Sequence, residues 1–97
     1  MSPPLIVIAT LIAKSGHEAD LEKCLRTILE PTRAETGCLS YDLHQDLEHS
    51  ASFYMIERWT DDAALQAHSA SAHIQAFRVE VGKHLEAFIL KRVQHLA

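Results

Sequence analysis

Glycine is scarce in this chain: Gly16, Gly37 and Gly82 are its only three, and none neighbours another. A phosphate-cradling loop or a dinucleotide-binding turn needs several glycines at fixed offsets, so both are excluded. Cysteine is scarcer still. Cys24 and Cys38 make neither a Cys-x-x-Cys pair nor a disulfide framework, and they read as two reduced thiols. No His-Glu-x-x-His pattern occurs. Basic residues are outnumbered, 9 Lys+Arg against 13 Asp+Glu, for a net charge of −4. A chain without a cationic field is not built to hold nucleic acid or an anionic membrane surface. Its apolar stretch from Leu5 to Ala13 falls far short of the ~20 residues of a membrane span. Ahead of it, Met1-Ser2-Pro3-Pro4 carries no basic n-region. The expectation is a soluble, cytoplasmic protein without a signal peptide.

The composition that remains is ordinary for a globular domain, with 47% hydrophobic and 23% charged residues. Residues 1–97 form one domain, because the length leaves no room for a second. Histidine is the exception: seven is a high count, and some of them should titrate near neutrality.

Hydrophobic period sets the elements. Leu5 to Ala13 is rich in β-branched residues and apolar at both parities, the pattern of a strand covered on both faces. Ser15-Gly16 breaks the chain. From about His17 to Glu35 the period becomes helical, with Leu21, Cys24, Leu25, Ile28 and Leu29 on one face and Pro31 kinking the last turn. Gly37 stops this helix. Cys38 to Gln45 and Phe53 to Trp59 follow as strands with no helix between them, so they pair as an antiparallel hairpin. Thr60 or Asp61 caps a second helical stretch, which breaks near Ser69–Ala72 and resumes from Ile74 to about Leu85. Glu86 to Gln94 is the last strand.

The order β-α-β-β-α-β predicts an α+β, ferredoxin-like fold: a four-stranded antiparallel sheet with helices on one face. Such a sheet leaves its other face bare. The economical cover is a second copy of the chain, so a homodimer is expected.

A metal site is not expected. On a continuous helix, His68 and His73, five residues apart, would point about 140° away from each other. A break at Ser69–Ala72 is the one arrangement that would let them converge.

The segments Glu57-Arg-Trp59, Ala63 to His68 and Ser71-Ala-His73-Ile-Gln-Ala-Phe77 carry the most specific signal. With Lys14 to Glu18, Glu35-Thr-Gly37-Cys-Leu-Ser-Tyr41 and Asp42 to Asp46, they resemble the antibiotic biosynthesis monooxygenase family, small quinol monooxygenase type, across nearly the whole chain. One departure is Ala72, where many members carry Pro before the histidine. The resemblance implies a dimeric α/β barrel and a pocket between sheet and helices. It also implies attack of O₂ on a small quinol or polyketide-type hydroxyaromatic without flavin, haem or metal. That chemistry needs an apolar slot, a base that works near neutral pH and donors for a developing oxyanion.

On this reading His68, His73 and Glu57 are the candidate catalytic residues, with Trp59 and Tyr41 shaping the substrate slot. Each has a plainer alternative. The two histidines could cap the helix break, Trp59 and Tyr41 could simply pack, and Glu57 could pair with a Lys or Arg of a neighbouring strand. Glu57 and Trp59 share parity and so one face. His17, His49, His84 and His95 lie on polar stretches and are expected to be solvated. Two other functions fit the same resemblance: isomerisation of a small phosphorylated sugar-like signal, or ligand binding by a stress-associated dimer. Haem degradation, which the resemblance implies for a sister branch, is disfavoured because the first strand, Ile6 to Ala13, offers no Asn of the kind that branch carries.

Overall fold

A computed structural model describes residues 3–97. Met1 and Ser2, part of the leader-free N-terminus expected above, lie outside the described residues. The elements are β1 (Leu5–Ala13), α1 (Glu18–Arg26), α2 (Leu29–Arg33), β2 (Cys38–Gln45), β3 (Ser52–Trp59), α3 (Asp62–Ala70), α4 (Ala72–Val81) and β4 (Leu85–Val93). The strands form one sheet in the order β2-β3-β1-β4, each neighbour antiparallel. This is the ferredoxin-like architecture the element order predicts. Among the described residues no helix is long and apolar enough to cross a membrane.

Strand alternation decides what lies under the helices. Val7, Ala9, Leu11 and Ala13 of β1 and Phe53, Met55, Glu57 and Trp59 of β3 point inward and are buried. Leu21, Cys24, Leu25 and Ile28 close the core from the first helical segment, and Leu65, Ile74 and Val81 close it from α3 and α4. The opposite face carries Ile6, Ile8 and Ile12, paired in register with neighbours that include Ile56 and Val93. Among the described residues no helix covers that face. β4 is an edge strand whose Phe88, Ile89 and Leu90 are all exposed.

The single helix expected from His17 to Glu35 is two. Pro31 has no N–H for the Thr27 carbonyl, and its ring crowds that carbonyl, so the chain breaks at Thr27–Ile28 instead of kinking later. The Thr27 hydroxyl satisfies the Cys24 carbonyl at 2.6 Å. Pro31 then sits in the first turn of α2, where an N–H is not needed. The later helical stretch ends at Val81, earlier than the periodicity suggests, and β4 correspondingly begins at Leu85.

Two local features fix the position of α3. Gly37 has φ +88°, and a Cβ there would lie 2.5 Å from the Cβ of Ala64. Only glycine allows both the turn and the close approach of α3. Asp61 caps the helix, its carboxylate accepting from the Ala64 N–H at 2.8 Å. Between α3 and α4, Ser71 is extended (φ −66°, ψ 153°), and its hydroxyl donates to the His68 carbonyl at 2.7 Å. The two helices are therefore separate rods meeting at a corner.

Candidate active site

Between the inner face of the sheet and α3 and α4 lies a cavity of about 340 Å³. Its wall is mostly aliphatic and aromatic, drawn from residues such as Leu11, Leu25, Met55, Ile74 and Phe77. Phe88 and Leu90 of β4 also line it and are 53% and 47% exposed, so the cavity opens at that sheet edge. The polar side chains in the wall are Tyr41, Glu57, His68, Ser69 and Arg78.

Glu57 is the unusual member. Inward parity on β3 places its carboxylate in the apolar core, where it is 4% exposed. The Trp59 indole N–H donates to it at 2.9 Å, which satisfies one oxygen without neutralising the charge. Burial pushes its pKa up from an ordinary carboxylate value to about 7; the Trp59 hydrogen bond opposes the rise and the negative charge of Glu35 adds to it. A carboxyl poised there can accept a proton at neutral pH. The Lys or Arg partner considered for Glu57 is replaced by Trp59.

His68 is buried on α3, its ring 4.7 Å from that of Trp59 and 5.5 Å, edge on, from that of Tyr41. Its Nδ1 lies 2.7 Å from Glu35 Oε2. Donation of Nδ1–H to that carboxylate leaves Nε2 as the basic nitrogen. His68 lines the cavity, and among the described residues its Nε2 makes no hydrogen bond. Burial lowers the His68 pKa, with the Glu35 carboxylate pulling the other way, so the ring favours its neutral, proton-accepting form. Tyr41 is held in its phenol form, its pKa raised by burial and then by the charges of Glu57 and Glu35. It can donate a hydrogen bond but not ionise.

The corner at Ser71 is the break that lets the histidines converge; the 140° divergence holds only for a continuous helix. His73 Nε2 reaches the same Glu35 oxygen at 3.2 Å, with the Thr32 hydroxyl at 3.3 Å. Ligand atoms of Glu35, His68 and His73 all lie within 4.8 Å of one another, a donor set of the type that divalent ions use.

The five candidates of the sequence thus separate into two positions. Tyr41, Glu57 and His68 line the cavity. Trp59, fully buried, stands behind Glu57, and His73 stands behind Glu35, facing the groove between α1 and α4. Glu35, the first residue of the segment Glu35 to Tyr41, is not among the five candidates of the sequence. Its partners are 33 and 38 residues away, and no local spacing announces them. Arg78 also reaches the cavity wall.

Comparison with known proteins agrees with this fold. The antibiotic biosynthesis monooxygenase family model matches residues 4–80. Rv0793 from Mycobacterium tuberculosis, provisionally named a monooxygenase, is 34% identical over 85 residues, covering 88% of this chain and 83% of that protein. Its solved structure superposes with a TM-score of 0.90, covering 98% of this chain and 97% of the other at 30% identity. The solved structure of PA3566 from Pseudomonas aeruginosa superposes at 0.95, with 46% identity over 100% of this chain and 98% of the other. A solved antibiotic biosynthesis monooxygenase gives 0.89 at 30% identity, covering 96% and 99% of the two chains. With the model spanning most of its length, this chain belongs to the antibiotic biosynthesis monooxygenase family.

Proposed function

We propose that this protein is a cofactor-independent monooxygenase that oxidises a small quinol or polyketide-type hydroxyaromatic with O₂. Family membership supports the monooxygenase type of activity. The observation that carries the finer reading is an apolar cavity whose few polar groups include two proton acceptors, Glu57 and His68, and a phenol donor, Tyr41.

The chemistry follows from that arrangement. The aromatic ring enters from the β4 edge and packs against apolar wall residues. Its hydroxyl proton passes to His68 Nε2 or to the Glu57 carboxylate, and Glu35 supports the charge that His68 would gain. The resulting anion is electron-rich enough to reduce O₂. One oxygen atom bonds to a ring carbon and the other leaves as water with the two displaced hydrogens, so a hydroxyaromatic and O₂ become a quinone and water. Tyr41 donates to oxygen atoms that carry developing negative charge. The apolar wall suits a flat aromatic better than a phosphorylated sugar, for which Arg78 is the one cation at hand.

The working form is a homodimer in this proposal. A second copy covers Ile6, Ile8, Ile12 and Ile56 on the outer sheet face. Sedimentation at micromolar concentration is expected to give twice the 10.9 kDa chain mass. A folded monomer there would remove the dimer from the account.

Oxygen uptake tests the activity. Chelator-treated protein is incubated with a panel of naphthohydroquinones and anthrones, with uncatalysed oxidation subtracted. Enzyme-dependent uptake with quinone formation is expected. Isomerisation of a phosphorylated ketose with no oxygen consumed on any hydroxyaromatic would overturn the proposal.

A further inference from the structure

A second group of histidines lies away from the cavity and has no part in the chemistry above. His17 stands at the N-cap of α1, Asp20 in its first turn, and His84 in the turn between α4 and β4. The sequence suggests that both histidines are solvated, but they are half-buried against each other. Their Nδ1 atoms are 3.0 Å apart and their ring centroids 5.3 Å.

This approach is built into the backbone. Lys14, leaving β1, donates its N–H to the His84 carbonyl at 2.9 Å and accepts the His17 N–H at 2.9 Å. His84 N–H in turn bonds the Val81 carbonyl, and Leu21 N–H bonds the His17 carbonyl, each at 2.9 Å. Lys14 therefore ties the backbones of both histidines together. The Nδ1 atoms are left face to face with a single proton between them: one must donate while the other accepts. If both carried protons they would repel.

A metal ion resolves that confrontation. Nitrogens bound at about 2.0–2.1 Å to one ion lie about 2.9 to 3.4 Å apart at right-angled to tetrahedral bond angles, which brackets the observed separation. Asp20 supplies the third ligand atom. All three ligand atoms fall within 4.8 Å of one another, and the Asp20 carboxylate bonds neither ring. The inner trio Glu35, His68 and His73 differs in this respect, because its carboxylate oxygen is already shared by both histidines.

We propose that His17, Asp20 and His84 form a binding site for a late first-row divalent transition ion such as Zn²⁺, with water completing the shell. Two imidazoles and one carboxylate are the donor set such ions favour. The bound ion ties the start of α1 to the turn that leads into β4. That turn is continuous with Val81, Gly82 and Leu85 of the cavity wall, so the ion acts as a clip on the frame of the cavity. Catalysis does not pass through it.

The test is a Zn²⁺ titration of the full chain against a chromogenic chelator, with long-range ¹H–¹⁵N spectra of the imidazoles. Binding of one equivalent per chain is expected, with the Nδ1 resonances of His17 and His84 shifting and both Nε2 atoms protonated. His17→Asn and His84→Asn should each weaken binding by about tenfold or more, since loss even of an outer-shell partner costs that much. His73→Asn should leave it intact. No uptake by wild type, or Nδ1 signals that do not respond, would overturn the site. So would loss of binding in His73→Asn, which would move the ion to the inner trio. The oxygen-uptake assay uses chelated protein, so its outcome is independent of this one.

Discussion

Two clusters in this small fold have nearly the same composition, two histidines and one carboxylate, yet they are arranged for different work. The inner one shares a single Glu35 oxygen between His68 and His73, sits beneath two aromatic rings and abuts an apolar cavity. The outer one sets His17 against His84 at a turn and leaves Asp20 unengaged. Residue type alone does not separate them. What differs is the fate of the carboxylate and the dryness of the surroundings, which decide whether an imidazole is prepared to move a proton or to hold a cation.

The sharpest way to break this contrast is to exchange the clusters' fates by mutation. His68→Ala should lower the rate of quinone formation by about 10²–10⁴-fold, the usual cost of removing a general base. His84→Asn should leave that rate within about twofold, as substitutions remote from the chemistry do. Steady-state oxygen uptake on both variants checks this, with thermal melts to establish that each is folded. Equal rates in both would erase the distinction drawn between the clusters.

The next effect concerns stability. The folded-state pKa of Glu57 is raised to about 7 from an ordinary 4.5, so the folded chain binds that proton more tightly than the unfolded one. The resulting cost is absent below pH 4.5, grows between 4.5 and 7, and is constant above. At its full extent it is about 3 kcal/mol. Glu57→Gln keeps an acceptor for the Trp59 N–H and removes the buried charge. Melting curves should therefore find the variant more stable than wild type at pH 8, with the gap closing towards pH 5, while its activity falls. A gap that widens on acidification would reverse the sign argued here.

Smaller effects probe the frame that presents His68. Gly37→Ala should cost about 1–3 kcal/mol by denaturant unfolding, because the new Cβ meets Ala64 at a positive φ. Ala72→Pro should add about 0.4–1 kcal/mol. Ala72 is the first residue of α4, where proline is favoured, and Ser71 before it already has the extended backbone that proline requires. If this proline destabilised the protein, the corner at Ser71 would have been misread.

These two positions also mark how far the sequence could be read. The strands and the hairpin follow from parity, and Gly37 and Asp61 announce their turns through local chemistry. The apolar period of the first helix runs through Thr27, so the sequence predicts one continuous helix there. The missing N–H of Pro31 acts four residues upstream, where the period gives no sign. Tyr41, Glu57 and His68 could be nominated from strand parity and from the resemblance. Their network could not, because Glu35 is joined to His68 and His73 by tertiary contacts alone. The convergence of the histidines depends on one extended residue, Ser71, which turns a 140° divergence into a shared hydrogen bond.

The pH dependence of kcat/KM in oxygen uptake tests the central claim most directly, using a quinol whose own hydroxyls stay protonated across the range. If the cavity's carboxylate takes part in proton removal, kcat/KM should rise as pH passes through about 7, where Glu57 loses its proton, and the inflection should vanish in Glu57→Gln. A profile flat from about pH 6 to 8 in wild type, or an inflection that survives in Glu57→Gln, would contradict it.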